Sequence, residues 1–230
     1  GNCIRNVTTD PFAGVAGDEY ADPRPWCEIV RQWSTFHPEF AYLPRKFKIA
    51  VNGADEDRAI IRIHDIGLEL THDAAGELGF RVLVGGGLGR TPIIGEVISE
   101  FVPWAQILNY CEAILRVYNL HGRRDNMYKS RIKILVKALG VAEFARQVEE
   151  EFVFLKDGPS TLTDAELDRV RRRFNDPELA PLAPFDAAAA HADTPAFGAW
   201  LRRNVRAHKV PGYASVVLSL KRPGLPPGDI

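Results

Sequence analysis

The stretch Tyr42-Leu43-Pro44-Arg45-Lys46-Phe47-Lys48 organises the fold of this chain. Pro44 fixes its own φ and pushes the residue before it toward extended geometry. The apolar run at 49–51 follows at once, and the pattern predicts a strand over about 46–52. Side chains two positions apart share a face of a strand, so we expect Lys46 and Lys48 to point one way and Arg45 and Phe47 the other.

Two neighbouring lysines on one strand face allow two interpretations. The first is a solvated edge strand whose lysines discourage pairing with another sheet. The second is an anion site, because two adjacent ammonium groups repel each other unless something negative lies between them, with Arg45 turned toward a second acidic group. The spacing alone leaves both interpretations open.

The net charge, which is close to zero, limits the kinds of molecule that the chain is expected to bind. The 230 residues include 29 Lys and Arg against 30 Asp and Glu, a net charge of −1. No overall basic field therefore attracts nucleic acid or a membrane surface. No apolar run is long enough to span a bilayer, and no signal peptide is visible. The cations are clustered nonetheless, which indicates discrete anion sites, at 45–48, 123–133, 169–173 and 202–209.

The metal-binding residue types form no recognisable pattern. The three cysteines, Cys3, Cys27 and Cys111, are far apart and odd in number, which indicates neither a disulfide framework nor a zinc site. A reducing, cytoplasmic location fits this usage. The six histidines show no ligand spacing. His64, beside Asp65 in an apolar stretch, is expected to be a satisfied core histidine.

Apolar periodicity predicts an α/β (α+β) chain, in which a section of strands is followed by helices. Turn signals crowd residues 1–25, so we expect a loop there, with a helix beginning at Pro25. Short connections between strands predict an antiparallel meander, with strands at about 46–52, 59–66 and 79–84.

Helices dominate the remainder of the chain. Residues 175–194 are rich in Ala and Pro and indicate a linker. After it, we expect a helix over 195–208 and a strand over 214–221. Before it, apolar residues recur at helical spacing over 105–120, 128–139, 141–154 and a short charged segment that ends near Phe174.

Two further segments could carry chemistry. The glycine run 85–89 follows a strand, where glycine lets backbone N–H groups approach a ligand. A tight turn is the simpler explanation of that run taken alone. Residues 122–131 place four cations and Asn126 around a helix start, where anions are favoured. An exposed, charged helix end would look the same.

Together these pieces resemble the sirohaem-containing nitrite and sulfite reductases, and among them most the haemoprotein (beta) component of assimilatory sulfite reductase. The resemblance covers residues 1–155 and resumes at 200–229, with 43–48 as its most specific part. The motifs occur in the family's order: Arg5-Asn6-Val7, Leu43 to Lys48, Val84 to Leu88, and Asn119 to Lys133.

The resemblance implies an oxidoreductase with a sirohaem bridged through a cysteine to a 4Fe–4S cluster, which reduces sulfite to sulfide by six electrons in sulfur assimilation. It implies that Arg5, Lys46 and Lys48 bind the substrate, so we expect the two lysines to face a cavity. One concavity should hold the sirohaem, whose implied contacts are Asn6, Arg45, Gly86, Gly87, Arg124, Asn126, Lys129 and Arg131.

The family's cluster ligands are four cysteines in a pattern that this chain lacks, so no metal ligand is assigned. The resemblance therefore implies a central fragment with a sirohaem-binding domain at 1–174, an Ala/Pro-rich linker at 175–194 and part of a second ferredoxin-like half-domain at 195–230. It also implies that the sirohaem-binding domain has a mixed, largely antiparallel sheet flanked by helices. Expected partners are sulfite or nitrite, the remaining domains of the parent polypeptide, and an electron donor, either ferredoxin or a flavoprotein reductase. Alone, the fragment is expected to be inactive.

Two other functions stay open. Ferredoxin-type nitrite reductases, which convert nitrite to ammonia, share the fold, cofactors and cationic pocket. A function of another class is a non-catalytic module that binds an anion or a tetrapyrrole without redox turnover, as an isolated fragment would.

Overall fold

The computed structural model describes residues 2–183, 186–190, 192 and 194–218. The chain divides into two compact units, each treated by itself below. The larger unit comprises Gly1–Gly14 and Tyr20–Asp176, and the smaller one comprises Val15–Glu19 and Pro177–Ile230.

A five-stranded mixed sheet forms the centre of the larger unit. Its spatial order follows the chain. The first two pairings, β1 with β2 and β2 with β3, are parallel, and the last two are antiparallel. The mixed sheet flanked by helices is thus confirmed. Its strands are β1 (Ile4–Thr9), β2 (Phe47–Asn52), β3 (Ile66–His72), β4 (Leu78–Val84) and β5 (Glu96–Pro103).

Two expectations about the strands are wrong. Ile4–Thr9 is a strand rather than a loop, because it is completed by pairing with β2 far along the chain. The segment 59–66 is mostly not a strand: Ile60 has a left-handed φ of 54°, and Ile61–Ile63 form a 3₁₀ turn. Ile61 lies against Gly67 of β3, where a Cβ would come within 2.7 Å of the Ile61 carbonyl oxygen. The connection therefore crosses a sheet face, and β2 and β3 run parallel instead of forming a meander.

Five helices complete the larger unit. Pro25 lies in the first turn of the first helix, as expected, because its missing N–H would be unpaired there in any case. The expected helix 128–139 begins later: a 3₁₀ turn covers Met127–Lys129, and the helix starts at Ile132. The helices are α1 (Arg24–Thr35), α2 (Ile107–His121), α3 (Ile132–Leu139), α4 (Val141–Leu155) and α5 (Asp164–Arg171).

The main core lies between one face of the sheet and these helices. Phe47, Ile49 and Val51 of β2 are fully buried in a cluster to which all five helices contribute. Burying each such side chain is worth roughly 1.5–3 kcal/mol. The opposite face carries a much smaller cluster, built around Ala50 and Ile61. Alternation places Lys48 on that second, thinly covered face.

Among its described residues, the smaller unit contains two helices, α6 (Ala187–Ala190) and α7 (Pro195–Asn204), and an antiparallel pair, β6 (Val205–Ala207) and β7 (Ala214–Val216). The helix expected to reach residue 208 ends at Asn204, because β6 begins there. β7 starts where predicted, and residues 219–221 of the expected strand lie outside the described residues. No helix among the described residues is both long and apolar enough to cross a membrane.

Candidate anion and tetrapyrrole site

The two lysines flank the first residue of β2. Phe47 between them is 0% exposed in the main core, whereas Lys46 and Lys48 are both half-buried. Within β2, alternation directs Lys48 away from the helices, as predicted. Arg45 and Lys46 lie before the strand begins, so alternation does not fix the direction of either side chain.

Arg5 reaches this region from the neighbouring strand. Ile4 pairs with Phe47 and Asn6 pairs with Lys48, so β1 advances two residues while β2 advances one. Arg5 is the additional residue in this β-bulge, a device that redirects a side chain. Arg5 and Asn6 are exposed and help line a groove of about 450 Å³ together with Phe36 and His37.

The cations lie close enough to act on one another. The pKa of Lys46 is lowered, first by the charge of Arg5, then by partial loss of hydration, and then by Arg45, Lys48 and Arg131. Each positive neighbour makes it harder for Lys46 to keep its proton. We call the five residues of this group the cation cluster: Arg5, Arg45, Lys46, Lys48 and Arg131. They come from three separate segments of the sequence. They form an excess of positive charge that a bound anion would relieve.

Asp65 links two members of this cluster, Lys48 and Arg131, and was not predicted as a site residue. Its side chain is 1% exposed, and its Oδ1 accepts hydrogen bonds from Arg131 Nε at 2.9 Å and Nη2 at 2.6 Å. Its Oδ2 accepts the backbone N–H of Lys48 at 2.9 Å. Burial raises the pKa of Asp65, while the Arg131 charge and these hydrogen bonds oppose the rise. A carboxylate in an apolar segment was the available signal, because a buried charge requires a partner.

The glycine run is shaped by close contacts. Gly85 has a left-handed φ of 81°. A Cβ on Gly86 would come within 2.4 Å of the Arg62 carbonyl oxygen and within 2.6 Å of that of His64. A Cβ on Gly87 would come within 3.0 Å of Arg131 Nη2, so the run borders the cation cluster.

Lys133 holds the glycine run in place and was also not singled out from the sequence. Its ammonium is buried and donates to the carbonyl oxygens of Thr91 at 2.6 Å and Leu88 at 3.1 Å. Burial lowers its pKa, as does the charge of Arg131, while Asp65 opposes both.

The segment 122–131 contributes unequally to this site. Arg131 belongs to the cation cluster. Arg124 instead donates to the Tyr42 carbonyl oxygen at 2.9 Å and so braces the loop before β2. The Asn126 side chain accepts the N–H of Tyr128 and thereby caps the 3₁₀ turn. Lys129 is exposed, and among the described residues it has no side-chain hydrogen bond or ion pair.

The candidate metal-ligating side chains do not converge. Within the described residues, no group of three or more His, Cys, Asp or Glu side chains is placed to hold a metal ion. Burial raises the pKa values of the Cys27 and Cys111 thiols to about 12. His64 is half-buried in a bend rather than placed in the core as expected, and its Nδ1 lies 2.9 Å from the Ile60 carbonyl oxygen.

Sequence comparison identifies similar proteins. Residues 1–154 match the family described as the nitrite and sulphite reductase 4Fe-4S domain. Sulfite reductase (ferredoxin) 1 of Mycolicibacterium paratuberculosis is 32% identical over 192 residues, covering 80% of this chain and 34% of that protein. Ferredoxin–nitrite reductase of Leptolyngbya laminosa is 35% identical over 153 residues, covering 64% and 30%. This chain spans about a third of the length of these relatives.

Structural comparison gives a consistent result. The Mycobacterium tuberculosis NirA protein matches with a TM-score of 0.59 at 33% identity, covering 69% of this chain and 29% of that one. Dissimilatory sulfite reductase I matches with a TM-score of 0.50 at 11% identity, covering 88% and 61%, which supports the fold alone.

Proposed function

This chain belongs to the nitrite and sulphite reductase family, and from that premise we propose that it supplies the anion- and sirohaem-binding part of a sulfite reductase. The observation that carries the proposal is the cation cluster, in which the charge of Arg5, partial loss of hydration and the charges of three other cations lower the pKa of Lys46. Such an arrangement suits a small, doubly charged oxyanion, since binding it relieves the mutual repulsion.

Arg5, Lys46 and Lys48 would bind sulfite and support its reduction. Each oxygen that leaves sulfite as water needs protons, and a lysine whose pKa is lowered gives up its proton more readily. Arg5 stays charged throughout, because a guanidinium is not deprotonated in proteins. Its role is to hold the anion and to keep the pKa of Lys46 low.

The residues present fit an acidic tetrapyrrole. Arg131 uses two of its five N–H donors on Asp65, so the remainder can bind a carboxylate. Bound sirohaem would supply the redox-active iron that carries electrons to sulfite. The residues proposed to hold it are Asn6, Arg45, Gly86, Gly87, Arg124, Asn126, Lys129 and Arg131, with Arg124 and Asn126 acting through the loops that they order.

A working sulfite reductase would need groups and domains in addition to those that the described residues of this chain provide. We assign residues 1–174 to a sirohaem-binding domain, 175–194 to a linker and 195–230 to part of a second ferredoxin-like half-domain. A 4Fe–4S cluster, a ferredoxin or flavoprotein donor and a cytoplasmic location belong to the same proposal. For the isolated chain, non-catalytic anion or tetrapyrrole binding is the competing function. The presence of the four cluster cysteines in the whole polypeptide would favour the reductase, and their absence the non-catalytic module. The purified chain alone is expected to make no sulfide from sulfite under either function.

Nitrite reduction is the second candidate, because a relative named ferredoxin–nitrite reductase is as similar to this chain as the sulfite reductases are. Both substrates are small oxyanions that a cation cluster would attract. Turnover of the reductase with each anion, under the same electron donor, distinguishes the two. A higher kcat/KM for nitrite would replace sulfite as the assigned substrate.

The decisive variants are Lys46→Met and Lys48→Met in the sirohaem-loaded reductase. Loss of a positioned proton donor costs about 100-fold or more in rate, so we expect kcat for sulfite to fall by about that factor. Sirohaem absorbance should stay near the wild-type level. Lys137→Met, an exposed change on α3, is the control. Wild-type turnover in both site variants would refute the assignment.

A further inference from the structure

One buried residue, Asp65, joins three segments that border the site. Through its two side-chain oxygens, Asp65 receives the Arg131 guanidinium and the backbone N–H of Lys48. Through its own carbonyl oxygen it receives the N–H of Gly85 at 3.1 Å. A single residue therefore fixes the entry of β2, the glycine run and the start of α3 relative to one another.

The two carboxylate oxygens of Asp65 accept hydrogen bonds from different donors. Both hydrogen bonds from Arg131 fall on Oδ1, which leaves Oδ2 for Lys48. Within the described residues the guanidinium donates to no other group, and its side chain is 20% exposed. Asp65 thus orients Arg131 by one edge and leaves the other edge available to an external acid.

If Asp65 served only to hold the fold together, a buried carboxylate would be an unfavourable choice, because burying a charge costs free energy. A buried ion pair can often be replaced by apolar residues without loss of stability. The arrangement at Asp65 instead sets the direction of a cation and the position of the strand that carries two others. That is the geometry which an anion site requires, since its affinity depends on where the charges point.

We propose that Asp65 is a positioning residue of the anion site: it holds the strand bearing Lys46 and Lys48 against Arg131, so that their charges converge on one small oxyanion. This inference rests on the proposed function, because it takes the cation cluster to be the place where sulfite binds. Asp65 itself touches no substrate.

Asp65→Asn tests the role with almost no change of shape. An amide has one acceptor oxygen, whereas Arg131 and the Lys48 N–H are both donors. Whichever way the amide turns, one donor faces the NH₂ group and is released. We therefore expect Arg131 or the start of β2 to move away from its position.

The chain offers a matched control in Asp10. This buried carboxylate accepts Arg58 Nε at 2.8 Å and the N–H of Phe12 at 2.7 Å, which is the same chemistry at the opposite end of β1. Asp10→Asn should therefore disturb a buried ion pair and a backbone contact without touching the cation cluster.

The experiment titrates the ¹⁵N-labelled chain with sulfite at constant ionic strength and follows amide and arginine Nε–H resonances by NMR. Constant ionic strength separates binding from screening. We expect saturable shifts at Lys48 and Gly87 in the wild type. The dissociation constant for sulfite should rise at least fivefold in Asp65→Asn and in Lys46→Met, and less than twofold in Asp10→Asn. The Arg131 Nε–H resonance should move in Asp65→Asn before any sulfite is added.

The outcomes separate the two ideas. If Lys46→Met weakens binding but Asp65→Asn behaves like Asp10→Asn, the positioning role is overturned and the anion site stands. If Lys46→Met binds sulfite as tightly as the wild type, the proposed site fails and the role of Asp65 fails with it.

A second variant applies if Asp65→Asn does not fold. Asp65→Glu keeps the negative charge but moves it by one methylene. A positioning role predicts at least threefold weaker sulfite binding by the folded Asp65→Glu chain, because Arg131 is displaced. A purely electrostatic role predicts no change, and wild-type affinity in this variant would therefore contradict the inference.

Discussion

Arg5 lowers the pKa of Lys46 more than any other group does, although Arg5 lies in β1 and Lys46 lies immediately before β2. The bulge in β1 places Arg5 beside the entry of β2. A long-range pairing thus sets the protonation behaviour of a lysine that its own neighbours, Arg45 and Lys48, affect less.

Removing the Arg5 charge should raise the pKa of Lys46. A nearby positive charge disfavours the ammonium form, so in Arg5→Gln the lysine should keep its proton to higher pH. The titration midpoint can be followed by NMR of ¹³C-methylated lysines. Added salt should shift the midpoint of the wild type in the same direction, because it screens exposed charges.

Arg31→Gln is the control for that shift. Arg31 is exposed and paired with Glu28 on α1, and its charge is not among the causes acting on Lys46. A midpoint that stays put in Arg5→Gln, or moves as much in Arg31→Gln, would contradict the assigned electrostatics.

Gly86→Ala should destabilise the protein far more than Gly76→Ala. At Gly86 the added methyl would meet backbone atoms of Arg62 and His64, which cannot swing aside. Overpacking of this kind costs about 1–3 kcal/mol, and the closeness of the contacts places the expected loss at about 3 kcal/mol.

Gly76 separates crowding from backbone strain. Gly76 has a positive φ of 86°, which Gly86 does not, and a Cβ at Gly76 would meet nothing within 4 Å. Its expected loss is the strain alone, about 1 kcal/mol. Urea unfolding of both variants measures the difference, and an equal or smaller loss in Gly86→Ala would show that the glycine run can shift.

Cys27 and Cys111 should not react with thiol reagents in the native protein at pH 8. Burial raises both pKa values to about 12, so the thiolate fraction at pH 8 is on the order of one in ten thousand. Mass spectrometry after brief iodoacetamide treatment would locate any modification. All three cysteines should react in denaturant, and rapid native labelling of Cys111 would indicate that α2 opens locally.

Local signals predicted much of the helical layer and the face of Lys48. Pro25 marked the start of α1, and the alternation around Phe47 placed Lys48 on the face away from the main core. Both predictions depend on neighbours within a few residues. The same kind of reasoning found β4 at nearly its observed limits, because its glycine boundary and apolar content are local.

The errors arise where a distant partner decides the structure. Ile4–Thr9 is only partly apolar and becomes a strand through pairing with β2. Ile61 was assigned to a strand because it is apolar, but it packs against a glycine on the sheet face. Asp65 and Lys133 could not be ranked as site residues, because their importance lies in contacts with segments remote in sequence.

The bulge adds to β1 one residue, Arg5, that has no partner in β2. If residue 5 were deleted, Ile4 would still face Phe47 and Asn6 would still face Lys48, now in an uninterrupted ladder. A regular strand would be the simpler construction. We therefore expect a one-codon deletion of Arg5 to keep the rest of β1 in register with β2, while removing the cation that most strongly lowers the pKa of Lys46.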